Sequence, residues 1–123
     1  MPRPEPPSKG EQHPSPGHRE EVVAALADLL SDLPDVRQAT MFGFPAFLVG
    51  RKLFACVYGN GVAVKLPPET LKRLRGQPGI EPFEPYGKKM REWVLVARED
   101  AAAYEADKGL FLQARDYVAS GLA

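Results

Sequence analysis

The stretch Met41–Glu69, MFGFPAFLVGRKLFACVYGNGVAVKLPPE, decides the fold, because its apolar runs are short and each one is bounded by glycine or proline. The runs are rich in β-branched and aromatic residues, which favour strands. With the residues before it, the stretch predicts successive antiparallel strands at Val36–Phe42, Ala46–Val49, Leu53–Tyr58 and Val62–Leu66. Gly50-Arg51 is predicted to join two of them, and Gly43 with Pro45 to form a bulge or an edge feature.

The segment Gly59-Asn60-Gly61 could be either a phosphate-binding loop or a hairpin turn. A phosphate loop needs a strand before it and a helix after it, whose N-terminal amides point at the anion. Here Val62 begins another strand pattern, and Asn60-Gly61 suits the two central positions of a type I′ turn. We therefore predict a turn.

Helices are predicted on both sides of these strands. The predicted helices are residues 18–32, about two turns after Leu66, and residues 107–120. Asp107 is the predicted N-cap of the last helix, with Glu99–Tyr104 as a separate turn or its first part. The apolar run Leu110–Leu112 indicates a contact surface beyond the core.

A long irregular segment is predicted between the second helix and the last strand. Residues 77–91 contain three prolines and two glycines, with a short strand expected near Ile80–Phe83. Glu92–Ala97 has a clear strand pattern. A loop this long is unusual in a small domain and is often functional, so Phe83–Arg91 is the first candidate for a site.

The composition indicates one folded domain. The chain has 123 residues, of which 44% are apolar and 26% charged, which suits a single hydrophobic core. Residues 1–17 carry six prolines and are predicted to form a disordered or polyproline-like tail. Residues 18–123 are predicted to be a single domain.

The cysteine and histidine content indicates a reducing, cytoplasmic setting without a metal or cofactor. Cys56 is the only cysteine, so no internal disulfide can form, and His13 and His18 with one thiol cannot complete a zinc site. The longest apolar stretch, Met41–Gly50, is too short and too interrupted to span a bilayer. We expect neither secretion nor membrane insertion.

Few residues could carry catalysis. Both histidines lie in or beside the predicted tail, so a preorganised Ser-His or Cys-His pair is not expected. Cys56 would need a neighbouring cation or base to become a nucleophile, and a buried small hydrophobe is the favoured interpretation. A small enzyme that uses Cys56 or Tyr86 is therefore the least favoured hypothesis.

The charge distribution provides a candidate surface. The whole chain is neutral, but residues 65–91 carry seven basic and three acidic residues, a net charge of +4. The candidate interaction surface comprises Lys72, Arg73, Arg75, Phe83, Tyr86, Lys88, Lys89 and Arg91. The alternative interpretation is a solvated rim of charges over aromatic residues that belong to the core.

The chain resembles the N-terminal domain of the TfoX family of bacterial competence regulators. The motifs that carry the resemblance are Met41-Phe42-Gly43, Gly59-Asn60-Gly61, Lys65-Leu66-Pro67 and Met90-Arg91-Glu92-Trp93, and it covers approximately residues 20–119. The resemblance implies an α+β fold, a meandering antiparallel sheet of about five strands with N-terminal, middle and C-terminal helices, similar to type III secretion chaperones. It also implies regulation or protein interaction, and it supplies no catalytic residues.

The favoured hypothesis is a small, non-enzymatic regulatory or protein-interaction module that binds a protein partner or forms a homodimer. The alternative is a nucleic-acid-binding regulator that uses the basic surface within residues 65–91, which requires the cations of Lys72–Arg75 and Lys88–Arg91 to share one face.

Overall fold

The computed structural model describes residues 17–121 and shows an α+β fold in which three α-helices flank an open antiparallel sheet. The helices are α1 (Glu20–Leu29), α2 (Pro68–Leu74) and α3 (Lys108–Ala119). The strands are β1 (Val36–Met41), β2 (Phe44–Val49), β3 (Lys52–Tyr58), β4 (Gly61–Lys65), β5 (Ile80–Pro82) and β6 (Trp93–Ala97). A single 3₁₀ turn lies at Pro85–Gly87, and a seven-residue 3₁₀-helix lies at Ala101–Asp107. The predicted fold class is thus confirmed, whereas the predicted tail lies outside the described residues except for Gly17.

The sheet has six strands where about five were expected, in the order β1-β2-β3-β4-β6-β5. The first four strands form a meander, as predicted, and α2 then carries the chain from β4 past β6 to the far edge. The sixth strand is the three-residue β5, which lies where a short strand was expected near Ile80–Phe83; in it Ile80 pairs with Val96 and Pro82 with Val94. A proline is tolerated there because β5 is an edge strand.

Three two-residue turns connect the meander. Gly50-Arg51 joins β2 to β3 as predicted, since Val49 pairs with Lys52. Phe42-Gly43 is also a hairpin turn, because Met41 pairs with Phe44, so the prediction that Phe42 ends a strand and Gly43 forms a bulge is wrong. Both of its central residues have positive φ, 55° and 84°, as a type I′ turn requires.

The third turn confirms the hairpin interpretation of Gly59-Asn60-Gly61, shifted by one residue. Tyr58 pairs with Gly61, so the central residues are Gly59 and Asn60, and only Gly59 has a positive φ, 57°. Gly61 belongs to β4 for another reason. A Cβ atom on Gly61 would lie 2.7 Å from the Val96 carbonyl oxygen, so only glycine allows β6 to approach this closely.

The main core lies between the sheet and the helices, on what we call the first face. Its central members are Val22, Leu26, Phe54, Val57, Val62, Val64, Leu74, Val96, Tyr104, Phe111, Ala114 and Val118. The Tyr104 hydroxyl donates a hydrogen bond to the Val96 carbonyl at 2.8 Å and accepts one from the Arg98 amide at 3.2 Å. These two hydrogen bonds satisfy the hydroxyl oxygen, which is the one polar atom of the buried Tyr104 side chain.

The C-terminal segment corrects two expectations. Asp107 precedes α3, but its side chain does not cap the helix; its carboxylate instead accepts two hydrogen bonds from the Arg98 guanidinium, at 2.8 and 2.9 Å. Phe111 is fully buried in the main core, so the run Leu110–Leu112 does not form a separate contact surface. Of the two alternatives for Glu99–Tyr104, the structure shows the separate element, a 3₁₀-helix that spans Ala101–Asp107.

Other boundaries agree with the prediction to within about three residues. Helix α1 ends at Leu29 rather than at residue 32, and the following Leu30 still packs in the core. Among residues 17–121, no helix has the length and apolar character needed to cross a membrane.

Candidate interaction groove

The opposite side of the sheet, here called the second face, carries a smaller aromatic cluster. Because side chains alternate along a strand, Val62 and Val64 of β4 point to the main core while Ala63 points to the second face. Buried members of the second cluster are Phe44, Cys56, Ala63, Phe83 and Leu95, and Leu53, Tyr58, Met90 and Trp93 pack around them partly exposed. No helix of the described chain packs on this cluster, since the buried residues of all three contribute to the main core except Thr70 of α2.

A closed loop covers part of the second face. The Met90 amide donates to the Phe83 carbonyl at 3.0 Å, which brings the two ends of the segment 83–90 together in the manner of an Ω-loop. Within the loop, the Lys88 amide bonds to the Pro85 carbonyl at 3.1 Å. Phe83 anchors the loop, because its ring lies edge-on to Tyr58 with centroids 5.0 Å apart and 5.8 Å from the ring of Trp93.

Between this loop and the β1–β2 turn lies an apolar groove of about 250 Å³. It is lined by Met41, Phe42, Phe44, Leu53, Cys56, Tyr58, Phe83, Pro85, Tyr86, Met90 and Trp93. The lining is aromatic, aliphatic and sulfur-containing, and no charged side chain contributes to it. Ligand sites in proteins are concave and mostly apolar in this way.

Two lining residues, Phe42 and Tyr86, are unusual in both backbone and exposure. Phe42 has φ 55° and is 85% exposed, while Tyr86 has φ 56° and is 77% exposed. Among the described residues these are the two non-glycine residues with positive φ and also the two large exposed hydrophobic residues. Positive φ is uncommon for bulky residues, and glycine or asparagine would fit these turns with less strain. Neither local backbone preference nor packing within the chain explains an aromatic ring at either position.

Burial in the groove favours the uncharged forms of the titratable side chains that line it. Burial raises the pKa of the Cys56 thiol to about 11, so the thiol is protonated at neutral pH. Burial is also the main cause that raises the pKa of Tyr58. Cys56 is therefore the buried small hydrophobe that the sequence predicts, rather than an activated nucleophile.

The structure separates the predicted candidate residues into two groups. Lys72, Arg73 and Arg75 lie exposed on or just after α2, whose Leu74 packs in the main core of the first face. The loop of the second face carries the other predicted residues: Phe83 buried, and Tyr86, Lys88, Lys89 and Arg91 exposed. The elements that carry the two groups of cations thus pack against opposite faces of the sheet, since Leu74 of α2 belongs to the main core and Phe83 of the loop to the second cluster. The alternative hypothesis requires one basic surface formed by both groups.

Most of the groove was missed from the sequence. Only Phe83 and Tyr86 of its lining belong to the predicted candidate surface; Phe42, Phe44 and Tyr58 do not. One signal was available, because Phe42-Gly43 separates two apolar runs and could have been recognised as a two-residue turn with an aromatic residue at its tip.

Away from the groove, a cluster of polar contacts has a structural role. The Arg19 guanidinium donates to the carbonyl oxygens of Arg98 and Glu99, both at 2.7 Å, and so ties the start of α1 to the end of β6. Arg98 in turn bonds to Asp107 and to the Pro78 carbonyl. The charged groups of Arg19, Arg98 and Asp107 therefore bind to other parts of the same chain. Within the described part of the chain, no group of three or more His, Cys, Asp or Glu side chains is placed to hold a metal ion.

Fold and groove together define a class of small α+β domain: a six-stranded antiparallel sheet with three helices on one face and an aromatic groove on the other. Residues 31–111, more than half of the chain, match the YjbR family model, and the chain belongs to the YjbR family. The match extends from just after α1 into the first turn of α3, so it includes the whole sheet and the groove. Neither a curated protein nor a solved structure matches the chain.

This assignment corrects the resemblance to the TfoX N-terminal domain, which is wrong at the level of the family. The motifs that suggested it are turn and strand-end residues of a hairpin meander, such as Gly59-Asn60-Gly61, and such residues recur wherever antiparallel strands are joined tightly. A role related to competence therefore loses its basis.

Proposed function

We propose that this chain is a small, non-enzymatic interaction module whose groove on the second face holds an apolar side chain of a partner protein. The observation that carries the proposal is the pair Phe42 and Tyr86, two exposed aromatic residues in strained backbone that border one apolar groove. Strain of this kind is retained at ligand-binding sites, where the side chain is needed for the contact. Aromatic residues are also enriched among those that contribute most to binding at protein interfaces.

The chemistry of the groove supports binding rather than catalysis. The Cys56 thiol is protonated at neutral pH, and the lining, which also includes the hydroxyls of Tyr58 and Tyr86, contains no histidine or carboxylate that could act as their base. Because Cys56 is a buried free thiol, we further propose a reducing, cytoplasmic location for the protein.

A second candidate function is nucleic-acid binding by the loop alone. Exposed Tyr86 lies close in sequence to exposed Lys88 and Lys89, and an aromatic ring beside cations is the arrangement that stacks bases and contacts phosphates. We give this candidate less weight, because α2 and the loop pack against opposite faces of the sheet.

Site-specific photocrosslinking in the native cells tests the proposed function. A benzophenone amino acid replaces Phe42 in one variant and exposed Lys72 of α2, on the other side of the sheet, in the control. We expect a discrete protein adduct from position 42 that position 72 does not give, because only the former lies at the groove.

Three results would contradict the proposal: no adduct from position 42, the same adducts from both positions, or adducts that nuclease digestion removes. The last result would favour the nucleic-acid candidate. An adduct at twice the mass of the chain would identify a second copy as the partner.

A further inference from the structure

We infer that the groove recognises an acidic linear segment, in which one bulky apolar side chain is flanked by aspartate or glutamate. This inference rests on the proposed function, because it names the chemistry of the partner that would occupy the same groove. Three features of the second face carry it: the size of the groove, the charge of its border, and the lack of polar groups at its floor.

The size of the groove suits a single anchor. An apolar cavity of about 150 Å³ accommodates a benzene molecule, so the groove of about 250 Å³ has room for one aromatic or large aliphatic side chain. Phe42 on one side and Tyr86 on the other would lose their exposure to solvent when such an anchor enters. Burial of this combined apolar surface provides the driving force for binding.

The border of the groove is positively charged. Lys88, Lys89 and Arg91 are exposed and lie in or beside the loop, between lining residues Tyr86 and Trp93 in sequence. The acidic residues of the same stretch are Glu84, within the loop, and Glu92, whose carboxylate lies 3.7 Å from the Lys65 ammonium. None of the three cations takes part in the ion pairs found among residues 17–121. Cations without partners beside an apolar site select for anionic groups next to the anchor, since charge complementarity at an interface favours specificity and association rate.

The same features disfavour two other occupants. A nucleobase brings polar edges that require several hydrogen-bond partners. The buried lining residues Phe44, Cys56 and Phe83 offer it none apart from a protonated thiol, and the other polar atoms of the lining are two tyrosine hydroxyls and the Trp93 indole N–H. A second copy of the chain, docked symmetrically, would bring a second set of the same cations to the border and so lacks the complementary charge.

A peptide selection tests the inference. Random twelve-residue peptides displayed on phage are selected on the full 123-residue chain after depletion on a Phe42→Asn, Tyr86→Asn double variant. We expect the enriched peptides to share one large apolar residue with at least two acidic residues within four positions of it. An enriched peptide that lacks tryptophan should also change the emission of Trp93, the only tryptophan of the chain, because Trp93 lines the groove.

Charge variants then distinguish the contribution to binding of the cations at the border of the groove from that of cations elsewhere on the surface. Changing Lys88, Lys89 and Arg91 to glutamine should weaken binding of an acidic peptide about tenfold at low salt, as expected for three exposed ion pairs. The same change at Lys72, Arg73 and Arg75 should alter binding less than about twofold, because these residues lie on the opposite side of the sheet.

The outcomes distinguish this inference from the proposed function. Enriched peptides that share an apolar anchor but no acidic residues, and that bind the glutamine variant equally well, would overturn the acidic class and leave the groove as a binding site. Failure to enrich any peptide after the depletion step, or enriched peptides that still bind the double asparagine variant equally well or do not affect Trp93, would overturn both. Displacement of the peptides by a single-stranded oligonucleotide at equal concentration would overturn the inference in favour of nucleic acid.

Discussion

The backbone conformation at Phe42 and Tyr86 favours other residues. Substitution at these two positions should therefore change the free energy of unfolding and the binding of the partner in opposite directions. Asparagine tolerates positive φ better than an aromatic residue, so Phe42→Asn and Tyr86→Asn should each raise the free energy of unfolding by about 1 kcal/mol. The same variants should bind the partner less well, because they remove the rings that border the groove. Urea denaturation measures the first effect and peptide anisotropy the second.

Alanine provides the control for this prediction. Phe42→Ala also removes the ring but keeps the unfavourable positive φ, so it should lose binding without the gain in stability. A loss of more than about 1 kcal/mol in Phe42→Asn would show that the ring packs within the fold, and would remove the reason to assign it to binding.

The burial of the Cys56 thiol predicts that the free energy of unfolding depends on pH. The pKa of its thiol rises from 9.0 to about 11 on folding because of burial, so the folded state holds the proton more tightly than the unfolded state. The thiol's contribution is therefore complete below pH 9 and is lost as the pH rises through about 11, a change of about 2 to 3 kcal/mol. Denaturation of the native chain and of Cys56→Ala at pH 8 and pH 10.5 should show a steeper loss in the native chain. Parallel pH profiles would contradict the burial of the thiol, since every other side chain is common to both proteins.

At the scale of elements, the pairing of β4 with β6 depends on one glycine. Gly61→Ala should lower the free energy of unfolding by about 2 kcal/mol, because the added Cβ would meet the Val96 carbonyl oxygen at 2.7 Å. Gly109→Ala is the matched control: Gly109 lies in α3 with open space around it, so alanine there should raise stability by about 0.5 to 1 kcal/mol. Thermal denaturation of both variants measures the contrast. An unchanged free energy of unfolding in Gly61→Ala would show that β4 and β6 can move apart without cost.

The contact between Arg98 and Asp107 is the main tie between β6 and the start of α3. Asp107 is nearly buried and accepts two hydrogen bonds from Arg98, so Asp107→Ala should cost about 2 kcal/mol, less than a fully buried pair because Arg98 reaches solvent. Asp116→Ala breaks an exposed contact with Arg115 and should cost less than about 0.5 kcal/mol. Equal losses in urea denaturation would indicate that the Arg98–Asp107 contact stabilises the fold no more than an exposed ion pair does.

The elements were predictable because their signals are local, and the exceptions have non-local causes. Apolar alternation and glycine at turns placed β3 and the Gly50-Arg51 joint correctly. Asp107 was predicted to be a cap because the sequence around it favours one, whereas Arg98, nine residues earlier, competes successfully for the carboxylate. The groove could not be predicted, because it depends on where the loop at residues 83–90 folds back across a sheet built from other parts of the chain.

The two faces of the sheet divide stability and binding between them. Helices α1 and α3, together with Leu71 and Leu74 of α2, bury the first face in one continuous core, and this core can hold the sheet rigid. A groove on the second face is then built on strands whose positions are already fixed, with only a closed loop and a hairpin turn at its borders. Such a rigid support allows strained residues such as Phe42 to be maintained at the surface.

Separation of the two faces also predicts how the cations behave toward a polyanion. If Lys72–Arg75 and Lys88–Arg91 belong to different surfaces, one bound strand of nucleic acid cannot contact both groups at once. Anisotropy titrations with a labelled single-stranded oligonucleotide at low salt should therefore show weak binding, and changing either set of three cations to glutamine should reduce it by a similar factor. Tight binding that is abolished only when Lys88, Lys89 and Arg91 are changed, with a slope of log K against log salt that falls by about three, would identify one coherent phosphate-binding surface on the loop. In that case the loop of the second face would be a nucleic-acid site rather than the charged border of a peptide groove.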